Sequence, residues 1–321
     1  APEHGLEGTI DDAIPFESFD GPERLRVVSL YGQNLRPAPE DLEGIDALVY
    51  DIQDVGCRFY TFITTLLYCL EEAARAQLPV LVLDRPNPLG GTLVEGPVLQ
   101  EGFQTFVGPA RIPIRYGMTV GELARWYVAN LKLDVQVTVI PMDGWERGML
   151  FPDTGLPWVA PSPNLPDFKA VQYYPATCLF EGTNLSEGRG TSWPFAWTGA
   201  PWLDTNLVFK ALPEESRRKV DLRTATPSKS KFAGELCQGF RFTGLGPAGE
   251  SPLGVVLELL YAAHKIHPEH FTLDVKHFDR LLGTDQPRRM LERGDNPACL
   301  VAPWQEECAR FAAQARSCWI Y

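Results

Sequence analysis

Glu3 and His4 stand side by side in the string Pro2-Glu3-His4-Gly5, a carboxyl group beside an imidazole in a Gly-bounded turn. A carboxyl group in a cleft of low polarity can serve as a general acid once burial raises its pKa. The alternative for this string is a solvated chain end. Two further polar clusters follow apolar runs: Asp51, Gln53 and Asp54 with Arg58 behind residues 45–50, and Asp84, Arg85 and Asn87 behind residues 80–83. Ligands of open parallel sheets sit at the carboxyl ends of the strands, so the two clusters read as parts of one crevice. Turn chemistry alone also places Asp or Asn after a strand. The densest polar loop runs from Glu181 through Asn184, Glu187 and Arg189 to Thr191, with three glycines. Backbone N–H groups of such a loop can cradle an anion, and the planar fork of Arg189 suits a carboxylate or phosphate. A tight structural loop is the alternative here.

Other chemistries lack their residues. No G-x-G-x-x-G follows a strand, no Gly-Lys-Ser/Thr marks a Walker loop, and no G-x-S-x-G marks a nucleophile elbow. The seven cysteines form no C-x-x-C pair and read as buried thiols rather than as a zinc ribbon. His264, His267 and His270 have helical spacing that Pro268 interrupts, so they read as a helix end and no metal is expected. Trp145, Trp158, Trp193, Trp197 and Trp202 lie near loops, where they can pack a core or stack on sugar rings.

The elements that must position these residues are visible in the periodicity. Residues 26–30 and 45–50 read as strands. Phe59, Phe62, Ile63, Leu66, Leu67, Leu70, Ala73 and Ala74 recur at steps of three and four and predict a helix. The run 80–83 reads as a parallel strand buried on both faces. Residues 119–130 read as a helix with Thr119 and Glu122 as a capping box, and 134–140 alternates like a strand. This order predicts a doubly wound α/β layer. The proline-dense stretch 151–166 predicts the domain boundary. Beyond it, 173–180 reads as a strand, and 253–264 and 303–318 read as amphipathic helices of a mixed α/β or α+β unit. On the last helix Trp304, Cys308, Phe311, Ala315 and Cys318 share a face.

Composition bounds the class. The chain has 321 residues, 45% hydrophobic and 22% charged, with a formal charge of −12. That hydrophobicity excludes general disorder. The acidic balance argues against nucleic acid and anionic membrane surfaces as partners. No apolar run approaches the roughly 18–20 residues that span a bilayer, and APEHGLEG carries no signal-peptide pattern.

The strings PEHGLEG (2–8), DIQDVGCRFYTFITT (51–65), LDRPNPLGG (83–91), VEGPVL (94–99), YGMTVGELA (116–124), PWVAPSPNLP (157–166) and FEGTNLSEGRGT (180–191) occur in one order. Together with FDRLLGT (278–284), they resemble the bacterial exo-β-N-acetylmuramidase family of peptidoglycan hexosaminidases, and the resemblance covers essentially all of the chain. It implies a Rossmann-like catalytic domain over 1–160, an auxiliary α/β domain over 161–321 and a cleft that the second domain closes. Family members carry a strand–helix segment before the PEHG string, so the first strand is expected to be missing and the first domain incomplete. A secreted or periplasmic address is also implied.

The resemblance further implies release of N-acetylmuramic acid from the non-reducing ends of peptidoglycan fragments, with Glu3 as proton donor and no metal or nucleotide. His4, Asp54, Asp84 and Glu181 join Glu3 as candidate catalytic residues. Asp54, Asp84, Glu95, Glu181 or the substrate's own acetamido oxygen can stand opposite the acid. Arg58, Arg85 or Arg189 is expected to hold the lactyl carboxylate. Gln53, Asn87 and Asn184 are expected to bind hydroxyl or acetamido groups, and Tyr60, Glu95, Tyr116 and Glu187 complete the expected substrate contacts. A noncatalytic muropeptide- or sugar-binding module is the rival reading, and an unrelated hydrolase on the same scaffold is a third. Oligomeric state is not legible.

Overall fold

The apolar run 80–83 forms the central strand of a parallel sheet in the computed structural model, which describes residues 3–4, 9, 19–20, 26–245 and 249–321. The chain divides into two compact units. The first comprises Ala1–Leu93, Tyr116–Pro166 and Ala312–Tyr321, and the second Val94–Arg115 and Asp167–Phe311.

In the first unit, β1 (Phe19–Asp20) and β2 (Arg26–Val27) form a short antiparallel pair. The expected strand at 26–30 is therefore shorter than its β-branched run and lies outside the parallel sheet. The Ser29 hydroxyl turns onto the carbonyl of Tyr31 at 3.2 Å and ends the run. The parallel sheet follows as β3 (Leu48–Tyr50), α1 (Phe62–Ala76), β4 (Val80–Leu83), α2 (Val120–Leu131) and β5 (Val137–Ile140), with strand order β3-β4-β5. Leu48 lies opposite Val80, and Val80 opposite Val137.

α1 buries Phe62, Ile63, Leu66, Leu67 and Leu70 at the predicted spacing, each contributing about 1.5–3 kcal/mol by leaving water. It stops at Gln77, which takes the left-handed conformation at φ 54°. α2 starts on the predicted capping box: the Glu122 amide donates to Thr119 Oγ1 at 3.2 Å, and the Thr119 amide donates to Glu122 Oε2 at 3.1 Å. These starts and stops fix where each strand's exit loop must lie.

After the 94–115 segment, the second unit runs through α3 (Phe168–Thr177), β6 (Trp197–Ala200), α4 (Thr205–Ala211), α5 (Glu214–Arg217), β7 (Val220–Ala225) and β8 (Cys237–Phe242). α6 (Leu253–Ile266), α7 (Val275–Leu282), α8 (Gln286–Glu292) and α9 (Val301–Ala315) follow. Its sheet is antiparallel in the order β6-β8-β7. Here the sequence reading needs a correction, because the stretch 173–180 is helical and not a strand. Asp167 caps the Ala170 amide at 2.8 Å, and burial of most of the following side chains stabilises the turns that their β propensity disfavours.

The three histidines pack rather than converge. His267 Nε2 accepts from the Asp204 amide at 3.0 Å, His264 meets Phe271, and Trp202 packs against His267 and His270. No helix of the described residues is long and apolar enough to cross a membrane.

Candidate active site

The exits of β3 and β4 carry most of the expected polar residues of the first unit. After β4, Asp84 turns back onto the start of α2. Its carboxylate accepts from Thr119 Oγ1 at 2.7 Å, from the Gly121 amide at 2.8 Å, from the Arg85 amide at 3.0 Å and from Tyr321 Oη at 2.9 Å. The close approach requires Gly121, because a Cβ there would meet Asp84 Cγ at 2.8 Å. Burial raises the Asp84 pKa, against the lowering effect of those donors. Its geometry is that of a carboxylate holding a helix start.

Arg85 reaches back to β3: Nε and Nη2 both contact Asp51 Oδ1, at 2.7 and 2.6 Å. Both side chains remain part-exposed, at 41% and 46%. Asp51, Asp84, Arg85 and Pro86, with Met142, Asp143, Gly144, Trp145, Met149, Asp153, Thr154 and Leu156, line a cavity of about 430 Å³. Such a volume lies in the range of small-molecule sites, at the strand ends where parallel sheets bind ligands. Among the described residues, Arg85 is the one cationic side chain in its wall.

A buried cluster lies in the loop that follows β3. Asp54 Oδ2 accepts from the Gly56 amide at 2.6 Å and from the Tyr116 hydroxyl, while Oδ1 is buried without a hydrogen-bond partner among the described residues. Burial pushes the Asp54 carboxyl up to about 6, against the lowering effect of Tyr116 and of the Gly56 and Val55 amides. The same burial raises the Tyr116 phenol. Gly56, at φ 77°, lets this loop pass against Asn87, whose Cγ would lie 2.9 Å from an added Cβ. Asn87 is committed to backbone, donating to the Met118 carbonyl at 2.8 Å and accepting from the Leu89 amide at 3.0 Å. Gln53 Nε2 ties the loops together through the carbonyls of Asp54 at 2.7 Å and Pro86 at 2.8 Å. Tyr60 donates to the Pro161 carbonyl at 2.9 Å, and Arg58 is fully buried.

Glu3 and His4 are described, while the rest of the PEHGLEG string lies outside the described residues. Glu3 is half-buried, and its Oε2 accepts from Thr61 Oγ1 at 2.5 Å. Thr61 stands at the N-terminus of α1, so this contact holds Glu3 at the carboxyl edge of the parallel sheet. His4 is buried with φ 70°, its ring 6.4 Å from that of Phe62.

The remaining candidates belong to the second unit. Glu95 contacts Arg115 at 2.8 Å and accepts from the Ser251 amide at 2.9 Å. In the polar loop, Arg189 contacts Glu181 at 2.6 Å and Glu187 at 3.4 Å, Lys231 contacts Glu187 at 3.1 Å, and His277 contacts Glu181 at 3.5 Å. Burial raises the Glu181 pKa, offset by its hydrogen bond to His277. Asn184 pairs with the 270–272 segment, donating to the His270 carbonyl at 2.7 Å and accepting from the Thr272 amide at 2.9 Å.

Sequence reasoning missed Arg147, Trp319 and Tyr321, and read Glu122 as a helix cap alone. Arg147 is buried against Glu122, donates to the carbonyls of Gly117 at 2.8 Å and Gly91 at 3.1 Å, and lies 3.9 Å from the Trp319 ring centroid. The Tyr321 hydroxyl reaches both Asp84 and the Met142 amide. Nothing local in the sequence signals these pairings.

Solved structures place this fold in a known class. A DUF1343 family protein of Bacteroides fragilis NCTC 9343 is similar with a TM-score of 0.89 and 30% identity, covering 100% of this chain and 85% of that one. A second protein of that family from the same organism gives a TM-score of 0.75 at 30% identity, covering 94% and 81%. The sequence narrows the class to glycosidases. The model of the exo-beta-N-acetylmuramidase NamZ N-terminal domain matches residues 1–169, and that of its C-terminal domain matches residues 172–321. The chain belongs to the exo-β-N-acetylmuramidase NamZ family. It is 39% identical over 324 residues to the peptidoglycan beta-N-acetylmuramidase NamZ of Bacillus subtilis (strain 168), covering 100% of this chain and 78% of that relative.

Proposed function

We propose that this protein is an exo-acting glycosidase that releases N-acetylmuramic acid from the non-reducing ends of peptidoglycan fragments. One observation carries the reading: Glu3, in the family's PEHG string, is held by Thr61 at the carboxyl edge of the parallel sheet. Peptidoglycan is the substrate printed in the name of the Bacillus subtilis relative, a beta-N-acetylmuramidase. The β3-α1-β4-α2-β5 order supports a Rossmann-like, doubly wound layer as the catalytic scaffold, with residues beyond about 160–170 largely auxiliary.

Glu3 gives its proton to the glycosidic oxygen as the bond from C1 to that oxygen breaks. Asp84 is taken up by four donors, Glu95 by Arg115 and Ser251, and Glu181 by Arg189 and His277. Asp54 is sealed beneath the surface. These commitments favour the substrate's acetamido carbonyl oxygen as the group that bonds to C1, giving a cyclic oxazolinium intermediate. Glu3, now a carboxylate, then takes a proton from the water that opens the ring. Arg85 is the cation we assign to the lactyl carboxylate, because it lines the cavity and is part-exposed, whereas Arg58 is buried and Arg189 is held mostly out of solvent by two carboxylates. Its ion pair with Asp51 presents the guanidinium to the cavity without burying it.

The test is incubation of the full chain with N-acetylmuramyl-β-1,4-N-acetylglucosamine, with both free sugars quantified. Equimolar release of the two supports the reading. Saturable binding of the disaccharide without release contradicts it and favours the sugar-binding module.

A further inference from the structure

The 319–321 segment belongs to the first unit, and its Tyr321 contacts three residues that line the 430 Å³ cavity, Asp84, Met142 and Trp145. The Tyr321 hydroxyl donates to Asp84 Oδ2 at 2.9 Å and accepts from the Met142 amide at 2.7 Å. Asp84 follows β4 and Met142 follows β5, and these strands are neighbours in the sheet. Asp84, Arg85 and Pro86 line one side of the cavity, and Met142, Asp143, Gly144 and Trp145 line another. One hydroxyl therefore spans the exits from which both walls rise. The Tyr321 ring also packs edge-on against Trp145, with centroids 5.0 Å apart at 81°.

The segment is itself held by buried charge. The Ile320 amide donates to Glu122 Oε1 at 2.9 Å, Arg147 Nε donates to the Tyr321 carbonyl at 3.3 Å, and Trp319 lies under the Arg147 guanidinium. Glu122 is fully buried and anchored in the α2 capping box, so the segment rests on the same helix start that positions Asp84. A second feature marks the cavity as a binding surface. Trp145 lines it and is nine-tenths buried, yet its indole N–H has no acceptor among the described residues. A buried donor without a partner is costly unless a water or ligand meets it.

We propose that Tyr321 is a positioning residue that sets the separation of the two cavity walls, and through it the affinity for the saccharide. The inference rests on the proposed muramidase reading for the identity of that saccharide. Loss of the hydroxyl leaves the Met142 amide without its acceptor and removes one donor from buried Asp84, so the two exits lose their common tie. The chemical step, which belongs to Glu3, is left intact.

The experiment compares the parent chain with Tyr321→Phe, which keeps the ring on Trp145, and Tyr321→Leu, which does not. Hydrolysis of the muramyl disaccharide gives KM and kcat separately. Tyr321→Phe is expected to raise KM about fivefold while kcat stays within about twofold, with Tyr321→Leu larger in the same direction. The melting temperature of Tyr321→Phe stays close to that of the parent chain. An unchanged KM in Tyr321→Phe overturns the proposal, as does a fall in kcat that tracks lost stability. A parent chain without turnover sinks the muramidase reading alone. In that case the Trp145 indole resonance, titrated with N-acetylmuramic acid and with N-acetylglucosamine, decides. Weaker binding of either sugar to Tyr321→Phe supports the role of Tyr321, and equal binding or none overturns it.

Discussion

Two polar regions of this chain look alike as sequence and differ as chemistry. The strand exits of the first unit and the 181–191 loop of the second each combine carboxylates with arginine, Arg58 and Arg85 at the exits and Arg189 in the loop. In the loop the charges find one another: Glu181 and Glu187 share Arg189, with Lys231 and His277 closing the network. At the strand exits the residues divide. Asp84 is held by four donors, Asp54 is sealed with one oxygen unmatched among the described residues, and Arg85 with Asp51 stays part-exposed on a cavity. A charged group whose partners lie within its own loop has little left for a ligand. The functional signal is the charge left facing a cavity.

Arg189→Ala gives the largest expected stability effect. Removing the cation leaves two buried or half-buried carboxylates under-compensated, costing about 2–4 kcal/mol in urea denaturation. Arg85→Ala is expected to cost under about 1 kcal/mol, because an exposed pair contributes little, while raising KM for the muramyl disaccharide about tenfold. Equal stability losses for the two variants would break the comparison.

Asp54→Asn sharpens it through pH. The Asp54 pKa is raised in the folded state from 3.8 to about 6, so between those values the folded chain holds a proton that the unfolded chain releases. The wild-type contribution is therefore most favourable at low pH and is lost as pH rises through 6. Asn carries no such titration. The stability of Asp54→Asn relative to wild type is thus expected to rise by up to about 3 kcal/mol from pH 4 to pH 7. A pH-independent difference would remove Asp54 from the account.

Gly121→Ala comes next. The new methyl would press on Asp84 and Val139, and overpacking of this kind costs about 1–3 kcal/mol. Its melting temperature should fall, with KM rising as Asp84 is displaced. Asp51→Asn is the smallest: stability changes by less than about 1 kcal/mol, and the freed Arg85 binds N-acetylmuramic acid more tightly in calorimetry.

The sequence made the first unit's helices legible because their physics is local. α1 declares itself by apolar spacing, and α2 by the Thr119–Glu122 box. α3 was hidden because Val171, Tyr173, Tyr174 and Thr177 favour strands and Pro175 breaks helices, while burial on most sides erased any amphipathic stripe. The antiparallel sheet escaped notice because its strands are short and interrupted by Gly199 and Gly239, both packed against the Trp197 ring. Within the site, Asp51, Asp84 and Arg85 were legible as polar residues after apolar runs. Their fates were not, since Asp84 is completed by Thr119, Gly121 and Tyr321, the last 237 residues away. A contact over that distance leaves no trace in periodicity.

The central claim is that Glu3, held by Thr61, delivers the proton to the leaving oxygen. Release of N-acetylmuramic acid from the muramyl disaccharide by the wild-type chain and by Glu3→Gln, with matched melting temperatures, tests it most directly. The account predicts a kcat at least about 100-fold lower for the variant, the usual contribution of a positioned acid. A Glu3→Gln chain that releases the sugar at the wild-type rate would contradict it.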